Sequence, residues 1–105
     1  MKIYDIEQSA LKYYLDHVRN GRDATIDTVR RKLSALIAST DYIEKNMNLV
    51  VYSISNFRIY VRNRTIVSVL WTNKSTIVSP DMHRKIKSNY KQVGLDRYGN
   101  ERVAI

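Results

Sequence analysis

The sequence predicts an α+β domain in the order β-α-α-β-β-β-α, an antiparallel sheet with two helices on one face and a C-terminal helix. Three observations carry that expectation. Two early segments repeat apolar residues at helical spacing. Asn48–Thr72 alternates apolar and polar residues between two tight-turn signals, and a fully punctuated helix runs from Ser79 to Gly94. A length of 105 residues suits one domain with one modest core, taken as residues 1–94 with a short tail over 95–105.

Ile3–Ile6 is a short alternation that reads as an edge strand. Asp5, followed three positions later by Gln8, resembles a capping box opening the first helix. Leu11, Tyr14, Leu15 and Val18 then fall on one helical face, and Asn20-Gly21 marks the end. Asp23 or Thr25 starts the second helix, with Ile26, Val29, Leu33, Leu36 and Ile37 as its stripe. In Asn48–Thr72, Ser55-Asn56 and Asn63-Arg64 are natural two-residue turns. Strict alternation then puts Val50, Tyr52, Ile54, Phe57, Ile59, Val61, Ile66 and Leu70 on a core face. Leu49, Val51, Ser53, Arg58, Tyr60, Arg62, Thr65, Val67, Val69 and Trp71 take the other. The last helix has Ser79 as cap, Pro80 at its first position, Asp81 at its positive end and Gly94 after it. Met82, Ile86, Tyr90 and Val93 form its stripe. The tail is expected to order against a partner.

The net charge of +8 and pI near 9.9 favour polyanionic partners such as nucleic acid or nucleotides. Between Glu44 and Asp81 there is no acidic residue, yet the stretch holds Lys45, Arg58, Arg62, Arg64 and Lys74. The absence of cysteine excludes disulfides and thiolate zinc sites. The N-terminal stretch lacks a signal peptide's apolar core, and no apolar run approaches a membrane span. The expectation is no membrane partner and a cytoplasmic location, in the host if the chain is phage-encoded.

Arg58, Tyr60, Arg62 and Trp71 form the sharpest candidate site, because arginine forks fit phosphate oxygens and aromatic faces stack on bases. Arg30, Arg31 and Lys32, near Arg19 and Arg22, form an outward run on the second helix, which reads first as the solvated face of an amphipathic helix and, as the alternative, as a second phosphate patch. Arg84, Lys85 and Arg97 are candidates for completing a neighbouring subunit's pocket, since a half-apolar sheet face predicts a homo-oligomer. His17 and His83 are the only histidines and sit in no ligand-like cluster, so neither a metal site nor a cofactor is expected. No nucleotide-binding glycine motif and no nucleophile elbow is present.

The order β-α-α-β-β-β with the hairpin Asn56-Phe57-Arg58-Ile59-Tyr60-Val61-Arg62 resembles RelE-like toxin ribonucleases over residues 1–72. That resemblance implies a sheet presenting basic side chains to a scissile phosphate, but those toxins end where this chain adds a capped helix. The opening, with Tyr4-Asp5-Ile6, Ala10-Leu11-Lys12-Tyr13-Tyr14, Asp23-Ala24-Thr25 and Val29-Arg30-Arg31-Lys32-Leu33, is similar to phage anti-Thoeris proteins of the sponge type. That family binds cyclic ADP-ribose signals without destroying them. The leading expectation is therefore non-enzymatic sequestration of a phosphate-bearing, cyclic nucleotide signal as an anti-defence protein. The alternatives are a metal-independent ribonuclease using Arg58, Arg62, His83 or His17, and a small basic nucleic-acid-binding regulator.

Overall fold

The computed structural model describes residues 1–18, 24–72 and 78–102. Its elements are β1 (Asp5–Ile6), α1 (Gln8–His17), α2 (Ile26–Ala38), β2 (Tyr42–Asn46), β3 (Leu49–Ile54), β4 (Phe57–Arg62), β5 (Thr65–Trp71) and α3 (Pro80–Gln92). The strands form one sheet in the order β1-β5-β4-β3-β2, antiparallel except for the parallel β1–β5 edge. The α+β class stands, with two helices, a mostly antiparallel sheet and a C-terminal helix. One strand, β2, is an addition to the predicted order.

The meander follows its turn chemistry. Ile54↔Phe57 and Arg62↔Thr65 close over two-residue loops, with Ser55, Asn63 and Arg64 at φ 53, 50 and 63. Positive φ at consecutive residues matches the right-handed twist of the flanking strands. β2 pairs with β3 through a third tight turn, where Met47 sits at φ 54. Every residue of β2 is exposed, so it lacks the buried alternation that marks a strand in sequence.

Two features revise the sequence expectations. The β4–β5 ladder pairs Tyr60 with Ser68 but Val61 with Ile66, leaving Val67 as an extra residue in β5. This bulge shifts the alternation by one for the rest of the strand. Val69 and Trp71 therefore pair with Ile59 and Phe57 on the helix side, and Leu70 pairs with Arg58 on the other. Secondly, Asp5 lies in β1 and caps nothing: α1 begins after Glu7, whose side chain makes no cap bond.

The remaining helix signals hold where they are described. The Thr25 and Ser79 hydroxyls accept from the backbone N–H of Thr28 and Met82. Such caps contribute about 1 kcal/mol each. Asn20-Gly21 and Asp23 lie outside the described residues. α1 packs on β5 and α2, and α3 packs on α2, so all three helices gather on one side of the sheet. Val29, Leu33, Leu36, Ile59, Ile66 and Val69 fill the layer between, while Ile26, assigned to the stripe, is exposed. Truncating Leu33 to Ala would cost about 2–5 kcal/mol. No helix among the described residues is long and apolar enough to cross a membrane.

The tail packs on its own chain through residue 102. Leu95 is fully buried and bridges to Glu101. Asp96 Oδ1 accepts from the backbone N–H of Tyr98 and Asn100 at 2.8 and 3.0 Å, which fixes the intervening loop.

Candidate functional site

The sheet surface away from the helices carries part of the predicted constellation. Arg58, Tyr60 and Arg62 alternate with buried Phe57, Ile59 and Val61, so all three point away from the helices. The Arg58 guanidinium lies over the Tyr60 ring at 5.7 Å from its centroid. Trp71 is not with them. The bulge at Val67 turns it to the helix side, where it packs against the core and its backbone N–H donates to the Tyr13 hydroxyl at 3.3 Å. Nor is this face free of acid. β2 brings Glu44 across β3 to 3.9 Å from Arg58.

The predicted second patch is mostly spent on the fold. Arg30 donates to the Tyr4 carbonyl and to Asp5 at 3.0 and 2.8 Å, pinning β1 to α2. Arg31 is only 20% exposed and donates to Asp27, to the Val93 carbonyl and to Glu101. It thereby ties α2 to the end of α3 and to the tail. Arg84 is ion-paired with Asp81 one turn away on α3. His17 stacks on Tyr13 with centroids 4.2 Å apart. Among the described residues no three potential metal ligands cluster.

A different set of cations converges on the helix side. A cavity of about 440 Å³ opens between α2, α3, the β3–β4 turn and the C-terminal loop. Its charged lining is Lys32, Lys87 and Arg97, beside His83, and its rings are Phe57, Tyr90 and Tyr98. Local structure explains the grouping. His83, Ile86, Lys87 and Tyr90 fall at i, i+3, i+4 and i+7 on one face of α3. Lys32 and Leu36 stand one turn apart on α2. The Asp96-centred loop delivers Arg97, which lies over Tyr98 at 4.8 Å.

Gly99 is needed for that closure. Its φ is +79, and a Cβ there would come within 2.8 Å of the Tyr90 ring and 3.0 Å of the Lys32 stem. The loop therefore lies flat on the two groups that form the cavity floor.

Lys32 is the electrostatic centre of the cavity. Its ammonium is 5.9 Å from the Phe57 ring centroid and has no ion-pair partner among the described residues. Burial holds its pKa below the usual lysine value, and the Asp96 carboxylate offsets this only in part. Among the described residues no carboxylate lines the cavity. A charge that has lost part of its water and is only partly balanced by a carboxylate favours an anion beside it. Burial likewise raises the Tyr90 phenol, keeping it a neutral donor.

Of the residues singled out in the sequence, Lys32, Arg97 and His83 reach this cavity, Lys32 against the expectation that it points outward, whereas Arg58, Tyr60 and Arg62 occupy the opposite side of the sheet. The α3 contribution was legible as a face of the helix. The part from Phe57, Tyr98 and the inward turn of Lys32 was not. Neither a protein-family model, nor a curated protein, nor a solved structure matches this chain. The site has to be interpreted from its own chemistry.

Proposed function

We propose that this chain binds a phosphate-bearing nucleotide in the cavity between α2, α3 and the C-terminal loop, and holds it without turning it over. The observation that carries this reading is the half-buried Lys32, without a direct ion pair among the described residues, beside Lys87 and Arg97 in a cavity with aromatic walls. Three cations suit a diphosphate, and a ring against Tyr98, Tyr90 or Phe57 suits a base. The volume falls within the range typical of small-ligand sites. Retention without turnover fits a lining that, among the described residues, offers one imidazole and no carboxylate as its partner. The similarity of the opening segment to sponge-type anti-Thoeris proteins makes cyclic ADP-ribose isomers the first ligands to try. Sequestering such a signal would be the anti-defence role.

A thermal-shift panel of ADP, cyclic ADP-ribose isomers and cyclic dinucleotides tests the proposal. A ligand at a hundred times its Kd adds about 2.7 kcal/mol, a rise of roughly 10 °C or more for a domain of this size. A flat panel sinks it. His83 among three cations also favours a ribonuclease reading. Cleavage of labelled RNA that disappears in His83→Ala would replace the binder with that enzyme.

A further inference from the structure

The uncovered sheet face has a composition that the cavity does not account for. All three helices lie on the other side, so β3, β4 and β5 turn one face away from every helix. Its register is fully paired: Tyr60 stands between Val51 and Ser68, Arg58 between Ser53 and Leu70, and Arg62 between Leu49 and Thr65. Val51 is 2% exposed beneath Tyr60, whereas Leu70 beside Arg58 is 44% exposed, so the row has an apolar flank. Arg64 follows in the exposed β4–β5 turn.

From this geometry we infer that the open face is a docking surface for single-stranded nucleic acid, with Tyr60 stacking a base and Arg58, Arg62 and Arg64 holding phosphates. The argument is independent of the cavity. Alternate residues along a strand stand about 6.7 Å apart, so Arg58 and Arg62 flank Tyr60 over about 13 Å. That row suits an extended chain of phosphates rather than one small anion. A hollow of about 460 Å³ lies at one end of the row, where Arg62 meets Leu49 and the β2–β3 turn, and it leaves room for a terminal phosphate. A second copy of the chain is the poorer occupant, since two-fold packing would set these arginines against one another. Two carboxylates lie near. Asp5, in register with Thr65, is held by Arg30, and Glu44 makes only a long, exposed contact with Arg58. A phosphate can displace the second.

Fluorescence anisotropy with labelled oligodeoxythymidine tests the inference on the full chain. Arg58→Gln with Arg62→Gln should weaken binding tenfold or more, and should lower the log–log salt slope by roughly 1.4. Tyr60→Ala should cost about tenfold while Tyr60→Phe keeps the affinity, because the ring and not the hydroxyl stacks. Lys87→Ala with Arg97→Ala should leave oligonucleotide binding intact and abolish any nucleotide-induced thermal shift. No binding by the wild-type chain would overturn the proposal. So would equal affinity for duplex of the same length, or a loss that follows Lys87 and Arg97 instead. Matching melting curves for the variants separate these outcomes from misfolding.

Discussion

Lys32 and Arg58 stand on opposite sides of one sheet and differ in what surrounds them. Lys32 is half-buried against Phe57, Tyr90 and the turn at Gly99, has lost part of its water, and makes no direct ion pair among the described residues, with Asp96 offsetting its charge only in part. Arg58 is 45% exposed, keeps its water, and shares its charge with Tyr60 and Glu44. The same formal charge is costly in one place and nearly free in the other. A desolvated cation in a cavity favours a compact ligand that replaces its hydration shell. A solvated row of cations on an open face favours a long polyanion whose contacts are many and individually weak.

The bulge at Val67 keeps the two regions apart by setting which residues of β5 face the helices, and a charge placed on either side of β5 is the most drastic test of the contrast. Without the bulge, strict alternation from Ile66 would put Leu70 in the core and turn Val69 and Trp71 onto the face of Tyr60. Val69 is 1% exposed whereas Leu70 is 44% exposed, so Val69→Asp should cost more than about 4 kcal/mol in urea unfolding and Leu70→Asp less than about 1 kcal/mol. Equal losses for the two would show that the bulge does not decide which residues face the helices.

That bulge also shows where the sequence stops being readable. α3 was legible because Ser79, Pro80, Asp81 and Gly94 act locally, each within a turn of the position it controls. The hairpin turns were legible for the same reason. Thr65-Ile66-Val67-Ser68-Val69-Leu70-Trp71 is apolar in either register, so nothing local says that Val67 is extra. β2 was invisible because both its faces are wet, and missing it hid Glu44 from Arg58. Arg31 looked like a surface base because its fixing carboxylate, Glu101, lies seventy positions along the chain. The cavity draws on several separated segments, and helical spacing exposes only its α3 share.

Substitution at Lys32 sharpens the comparison at the cavity. Lys32→Met keeps the stem but removes the charge. Nucleotide affinity should fall about 10–100-fold, the worth of a charge-assisted contact. Stability should not fall, because a desolvated charge has gone. Arg58→Met should change neither stability beyond about 0.5 kcal/mol nor nucleotide affinity. The pH response carries the same signature. Since the Lys32 pKa is lower folded than the 10.5 usual for lysine, the folded state holds fewer protons between those two values. Stability from this group rises with pH across that window, while nucleotide affinity falls there as Lys32 loses its charge. Calorimetric titration below pH 10 gives the reading cleanly. There Tyr14, pushed up to about 12 by burial, remains protonated. An affinity independent of pH over this window would remove Lys32 from the site.

The smallest expected effect tests how loosely the sheet face is held. Glu44 Oε2 reaches Arg58 at 3.9 Å with both side chains largely in water, so the pair contributes at most about 0–1 kcal/mol. Glu44→Gln should leave the melting temperature nearly unchanged, because β2 stays paired with β3 through its backbone. It should leave nucleotide binding at the cavity untouched. What it changes is the competition for Arg58. With the carboxylate gone, oligonucleotide affinity should rise about two- to fivefold at low salt, and the gain should fade as ions screen the face. A gain that persists at high salt would mean that Glu44 obstructs the surface by shape and not by charge. No gain at any salt would mean that Arg58 is already free, and that the arginines follow the backbone geometry of β4 alone.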